Sequence, residues 1–244
     1  MTLVFVHGVP VTEQVWEPVC RRLALADAVC LRLPGFGSDL PDSFTPTMQG
    51  YAEWLSKELA GFESVDLVGH DWGGLLVLLI ASACPDNLRS WVVDNPNLDQ
   101  DFAWHGAAVT FQTPERGEQV AEWIGGATLD ARIDLLAGTG LSQEMAAAIA
   151  PAVDATMADA MLALYRSAVH IGTEWGPPID EIRAPGLCVI ADRDEYRQPG
   201  AMRRLAERTS AHVLDLPEAG HFWMVDEPDV VAAHLTAFWH SIER

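Results

Sequence analysis

Short unbroken apolar runs alternate with amphipathic stretches at both ends of this chain, and the alternation stops in the middle. Leu3–Val6 is uniformly apolar and ends at His7-Gly8-Val9-Pro10. A run without polar alternates predicts a strand covered on both faces, as in parallel sheets. A helix is expected over Gln14–Leu25, with Trp16, Val19 and Leu23 on one face, and a strand over Ala28–Leu33, closed by Pro34-Gly35-Phe36-Gly37-Ser38. Thr47–Ala60 carries Tyr51, Leu55 and Leu59 in a helical stripe. Val65–Gly69 reads as a buried strand, followed by a helix from about Trp72 through the apolar run Leu75–Ala81. Leu88–Val93 is a further strand, ended by Asp94-Asn95-Pro96.

From Pro96 to about Arg183 no strand-like run occurs. The periodicity is helical, with candidates at Pro114–Ile124, Leu129–Leu136, Ser142–Ala150 and Asp154–Ile171, punctuated by Gly and Pro clusters. The alternation then returns: strand Gly186–Ile190, helix Gly200–Thr209, strand His212–Leu216 and a final amphipathic helix Pro228–Ser241. This order predicts a doubly wound, mostly parallel sheet of about six strands, residues 1–95 and 184–244, carrying a helical lid over 96–183. Ligands bind such sheets outside the carboxyl ends of the strands.

Composition narrows the function classes. The 244 residues carry a net charge of −20 and a single lysine, Lys57. Without a basic stretch, nucleic acid and anionic membrane surfaces are poor partners. Cys20, Cys30, Cys84 and Cys188 are scattered in apolar settings and read as reduced core residues, with neither metal spacing nor a disulfide framework. Leu3–Val6 is too short for a signal peptide, and the apolar run Leu75–Ala83 is too short for a bilayer span. A cytoplasmic protein that needs no cofactor and no metal is the expectation; oligomeric state is not legible.

The candidate chemistry centres on Gly69-His70-Asp71-Trp72-Gly73. A Gly–x–nucleophile–x–Gly turn between a strand and a helix is a nucleophile elbow, and its glycines permit the tight turn and close approach. Here the central residue is Asp. A carboxylate attacking an ester gives only a reactive anhydride, whereas attack on a tetrahedral carbon with a leaving group gives an ordinary enzyme ester. Asp71 is ionised near neutrality and needs no base for that attack. A base is needed afterwards, to activate a water that attacks the Asp71 carboxyl carbon. His221, in the loop between the last strand and the last helix, is the candidate.

In the ordered set His7-Gly8-Val9-Pro10, Pro34-Gly35-Phe36-Gly37, Gly69–Gly74, Ala191-Asp192-Arg193-Asp194 and Gly220-His221-Phe222, the chain resembles the α/β-hydrolase superfamily. Within it the chain looks like the Asp-nucleophile branch of epoxide hydrolases and haloalkane dehalogenases. The resemblance implies a sheet shortened at its start, because two strands usual in the family before His-Gly-x-Pro are missing. It implies Asp194 as the acid that orients His221, with Asp94 as the alternative. It implies an oxyanion hole from the backbone N–H groups of Trp72 and Val9, and Tyr165 as a lid donor to a leaving oxygen. A second donor is left open among Trp104, His105 and His170, and an elbow–lid tryptophan pair among Trp104, Trp123 and Trp175. Met157, Met161, Tyr165 and Val169 also suit a packing stripe. The substrate so implied is a small apolar epoxide, hydrolysed with water; a haloalkane is the alternative, and a silent binding protein of this fold is the third reading.

Overall fold

The computed structural model describes residues 2–23, 28–94, 98–99 and 102–242. Six strands form one sheet: β1 (Thr2–Val6), β2 (Ala28–Leu31), β3 (Val65–Gly69), β4 (Leu88–Asp94), β5 (Gly186–Ala191) and β6 (His212–Leu216). Their order is β2-β1-β3-β4-β5-β6, and every pairing is parallel. β3 and β5 are buried along their whole length, and β5 reads as an unbroken apolar run. The edge strand β6 instead alternates, with Leu214 and Leu216 inward and Asp215 exposed. The one carboxylate inside β3, Asp66, is answered by Arg89 and Ser90 from the neighbouring strand. A buried charge is tolerated when paired and hydrogen-bonded in this way.

Helices α1 (Glu17–Leu23), α2 (Met48–Leu59) and α3 (Trp72–Ser82) connect the first four strands. A helical block follows β4: α4 (Gly106–Gln112), α5 (Arg116–Gly126), α6 (Leu129–Gly138), α7 (Gln143–Ile149), α8 (Ala155–Ser167) and α9 (Ile171–Trp175). α10 (Ala201–Thr209) joins β5 to β6, and α11 (Trp223–Asp226) and α12 (Pro228–Ser241) close the fold. After β1 the chain turns to β2 on one side and then crosses to β3 on the other. The switch point of the sheet therefore lies between β1 and β3, the two strands that lead into Val9 and Asp71.

Several elements differ from the sequence expectation. The first helix opens as a 3-10 turn, Glu13–Trp16, under a Thr12 cap. The expected helix end at Leu25 and the boundary at 95/96 lie outside the described residues. β2 stops at Leu31 because the Leu33 N–H goes to the His7 ring, 3.0 Å away, and leaves the sheet ladder. The helix expected over Asp154–Ile171 is two helices. Asp154 caps α8 by accepting the Met157 N–H at 2.9 Å, and α8 ends at Ser167, whose hydroxyl receives the Met48 N–H at 2.8 Å. The short helices α4 and α11 were not anticipated. Among the cysteines only Cys188 is buried; Cys20 and Cys30 are half-buried and Cys84 is exposed, so the core reading fails for Cys84. Its positive φ of 49° sets it at the turn after α3 rather than inside the helix packing. No single helix among the described residues is long and apolar enough to cross a membrane.

Candidate active site

Asp71 sits between β3 and α3 with φ 52° and ψ −120°, a conformation that costs an L residue energy and persists only when its surroundings enforce it. Three backbone bonds do so. The His70 N–H donates to the Val6 carbonyl at 3.1 Å, the Asp71 N–H to Asp94 Oδ1 at 3.0 Å, and the Leu75 N–H to the Asp71 carbonyl at 3.1 Å. A Cβ at Gly73 would run into the carbonyls of Val6 and His7, and one at Gly8 into the Asp71 side chain. An aspartate that merely capped α3 would accept an N–H from the first helical turn. Asp71 makes no such bond. Its Oδ1 accepts the Val9 N–H instead, at 2.9 Å.

His7 explains why that N–H is in place. Burial drives its pKa down to about 4, so the ring is neutral. Its Nε2 accepts the Leu33 N–H, which puts the ring proton on Nδ1, where it donates to the Gly8 carbonyl at 2.7 Å. The loop carrying Val9 is thus pinned from behind. Trp72, the other sequence-predicted backbone donor, is the first residue of α3, where an N–H has no acceptor within its own helix.

His221 and Asp194 are brought together: Nδ1 lies 3.0 Å from Asp194 Oδ2, with both side chains buried. Asp194 Oδ1 accepts the Tyr196 N–H at 2.8 Å, which fixes the carboxylate plane. The Arg193 N–H to Ala219 carbonyl bond, 3.0 Å, ties the two loops that carry them. Burial alone would lower the His221 pKa. The bond to Asp194 and the charges of Asp194, Asp71 and Asp94 outweigh it and hold the imidazole above its ordinary value. Asp192 turns to Arg197, 3.3 Å away.

Asp94, the alternative acid, is engaged elsewhere. Its Oδ2 receives His70 Nδ1 at 2.7 Å and the Trp223 indole N–H at 2.5 Å, and its Oδ1 holds the Asp71 N–H. Burial pushes its pKa up, but His70 and the other donors more than reverse that, so it is held ionised.

Two cavities meet at Asp71. The larger, about 280 Å³, is reached by Val9, Tyr165, Tyr196 and His221, and its walls include Phe111, Ile124 and Met161. The smaller, about 230 Å³, lies over Leu75 and Trp104 and is bounded by Glu195, Arg197 and Gln198. Tyr165 is buried, stacked on Phe111 at 5.4 Å and edge-on to Trp72 at 5.6 Å. The packing stripe holds for Met157, Met161 and Tyr165 but breaks at Val169, which is 47% exposed. Burial, and then the charge of Asp71, raise the Tyr165 pKa well above that of a free phenol, so it is a proton donor at rest. Trp104 stacks on Trp72 at 5.4 Å, but its indole N–H is committed to the Ala168 carbonyl at 2.8 Å and is not a donor to a ligand. His105 Nδ1 accepts the Ala108 N–H at 3.4 Å, and burial lowers its pKa, leaving Nε2–H as its donor. His170 is exposed and lines neither cavity, Trp175 is buried away from both, and Trp123 stands in the wall of the larger one. Among the described residues the Trp72 indole N–H makes no hydrogen bond, and its nearness to the Tyr165 hydroxyl eases that phenol's ionisation.

Sequence reasoning missed Tyr196. Its ring lies 4.8 Å from His221 and 5.1 Å from His105, and it lines both cavities. Burial and the carboxylates of Asp194 and Asp71 raise its pKa, so it too keeps its proton. The available signal was its place two residues after Asp194, beyond the carboxyl end of β5.

A sequence profile of the alpha/beta hydrolase family matches residues 3–234. Among solved structures, haloalkane dehalogenase DbeA from Bradyrhizobium elkani is similar at 23% identity and a TM-score of 0.76, covering 99% of this chain and 90% of that one. A thermophilic esterase from Thermogutta terrifontis is similar at 17% identity and a TM-score of 0.78, covering 100% and 91%. The abhydrolase domain-containing protein abhd-5.2 of Caenorhabditis elegans is 28% identical over 114 residues, 41% of this chain, so the chain matches 25% of the length of that curated relative. With the profile spanning nearly its whole length, the chain belongs to the alpha/beta hydrolase family.

Proposed function

We propose that this protein is a cofactor-independent hydrolase in which Asp71 is alkylated and then freed by water, with an apolar epoxide as its substrate class. The observation that carries the reading is the Val9 N–H on Asp71 Oδ1. A donor fixed on the nucleophile's own carboxylate is where negative charge develops when water attacks the enzyme ester, which is the requirement for an oxyanion site. In the first step Asp71 Oδ attacks an epoxide carbon, the C–O bond breaks, and the alkoxide takes the phenol proton of Tyr165 or Tyr196. In the second, His221 takes a proton from water, and the hydroxide adds to the Asp71 carboxyl carbon. The ester bond then breaks, and the imidazolium protonates the departing oxygen. The regenerated carboxyl returns the other water proton to the phenolate. The net change is one water added to give a diol.

The electrostatics suit this sequence. Asp71 raises the pKa of both phenols and of His221 while it is an anion. Alkylation removes that charge as the alkoxide forms, so each phenol becomes the stronger acid when a proton is needed. His221 becomes easier to find neutral when the water must be activated. The helical block acts in this scheme as a lid that supplies Tyr165 and His105. A second reading, a haloalkane as substrate, is favoured by the Trp72 indole N–H, which has no partner among the described residues and suits a departing halide.

The test is intact-protein mass spectrometry of His221→Gln after incubation with small epoxides and haloalkanes. The expected result is a stable adduct mapped to the peptide containing Asp71, formed from epoxides. Adducts from haloalkanes alone would select the second reading. A folded variant that binds substrate and forms no adduct would count against the alkyl ester, and with it in favour of a binding protein.

A further inference from the structure

The two cavities at Asp71 differ in their walls, and the difference bears on substrate shape. Away from the polar side chains near Asp71, the larger is walled mainly by hydrocarbon from the helical block and the Val9-Pro10 turn, with Thr110 and Thr139 among its few polar neighbours. The smaller is lined by the apolar Leu75, Phe102 and Trp104 together with the polar Glu195, Arg197 and Gln198. His105 and Tyr196, edge to face at 5.1 Å, bound both and stand between them as a partition, with Asp71 open to each. Neither cavity alone reaches the size usual for a small-molecule pocket, roughly 300–1,000 Å³, and together they do.

We propose that the site takes a two-armed electrophile, an internal epoxide whose large apolar arm occupies the cavity of Phe111 and Met161 and whose short arm, ending in a neutral hydrogen-bonding group, occupies the cavity of Trp104 and Leu75. The proposal rests on the Asp71 reading above. Neutrality follows from the charges at the smaller cavity. Arg197 is paired with the Asp192 carboxylate at 3.3 Å and donates to the Asp192 carbonyl at 3.2 and 3.0 Å, so its cation is already answered. Glu195 and Asp71 oppose a carboxylate there. His105, neutral with its proton on Nε2, is matched to an uncharged acceptor.

The experiment compares three epoxides that share one apolar arm: a terminal epoxide, an internal one with a hydroxymethyl arm, and an internal one with a carboxylate arm. Asp71 labelling in His221→Gln is timed by mass spectrometry, with that background alone, with Leu75→Phe, which fills the smaller cavity from its floor, and with Ala103→Trp, which fills it from its exposed rim. The hydroxymethyl epoxide is expected to label at least roughly tenfold faster than the terminal one, and either filling to cut that advantage by roughly tenfold or more, the scale set by filling or emptying one methylene-sized space. An equal or faster terminal epoxide, a carboxylate epoxide that is fastest, or an advantage unmoved by both folded variants would overturn it. Labelling by terminal epoxides alone refutes the two-armed substrate and leaves the Asp71 reading standing; no labelling by any epoxide removes both.

Discussion

Two histidine–aspartate pairs lie side by side in this molecule, with their imidazole rings 4.6 Å apart. His70–Asp94 is the shorter, 2.7 Å against 3.0 Å for His221–Asp194. Distance alone would favour His70–Asp94. The difference lies in what else each carboxylate holds and where each ring ends. Asp94 is saturated by His70, the Trp223 indole and the Asp71 backbone, so it anchors the elbow from beneath. Among the described residues His70 Nε2 has no partner, and the ring packs against those of Trp16, Phe222 and His221. His221, by contrast, opens on a cavity shared with Asp71. The same two functional groups make a strut where the carboxylate is saturated and the ring is packed among aromatics, and a candidate base where the ring borders a cavity.

Substitutions at the two acids should separate strut from base most strongly. Asp194→Asn is expected to slow hydrolysis of the Asp71 ester by roughly 10⁴-fold, as loss of the orienting carboxylate does in serine triads. Asp94→Asn is expected to cost at least roughly a hundredfold less in single-turnover hydrolysis, set against that same triad scale, yet to lower unfolding free energy by about 3–5 kcal/mol, because a buried pair is broken. Denaturant titration and rapid-quench kinetics on both variants read this directly, and reversal of either order would exchange the roles. Next in size is Tyr165→Phe, expected to slow alkylation by an epoxide roughly 10²–10³-fold, the range of single-donor deletions, while leaving ester hydrolysis nearly untouched. A loss below about threefold, far short of that range, would return Tyr165 to a packing role.

The smallest effect concerns pH. The folded pKa of His221 is raised, so its contribution to stability is complete below the unfolded value of about 6.5 and is lost as pH rises through the folded value. As a base toward water it would act in its neutral form, so the sign expected for ester hydrolysis is opposite, with activity rising with pH. Because Asp71 is uncharged in the ester, the acid limb of single-turnover hydrolysis is expected at lower pH than the His221 titration of the free protein followed by NMR. Coincident midpoints would mean that the base does not sense the charge on Asp71.

The strands and the doubly wound class were legible because a parallel sheet buries β3 and β5 on both faces and leaves only Asp66 to interrupt their apolar runs. The elbow was legible because its glycines answer steric demands local to the chain. What sequence could not supply was commitment of polar atoms across long separations. The Trp104 N–H is spent on Ala168, 64 residues away, and the three bonds to Asp94 converge from two distant places, the β3–α3 turn and α11. Tyr196 was passed over because nothing local distinguishes a phenol in an exposed turn from one folded back over His221. The break after Ser167 was hidden because the apolar rhythm continues through Ile171 while the Ser167 hydroxyl is engaged with Met48.

The two phenols at the site are mounted on different bodies. Tyr196 rides on the sheet, next to Asp194, whereas Tyr165 rides on α8 of the helical block. The separation between them is therefore a gauge of how that block seats on the sheet, and the seat is held by bonds such as Met48 N–H to Ser167 Oγ and Gln198 Nε2 to the Ala103 carbonyl. A shift of the block by about 1 Å would mistune one donor and leave the other aligned, an error that can cost roughly a hundredfold in rate when it falls on a reacting group. On the proposed reading, changes along this seam, far from Asp71, should then act like tuning screws on one phenol, altering which orientation of a bound epoxide's oxygen is favoured without touching Asp71.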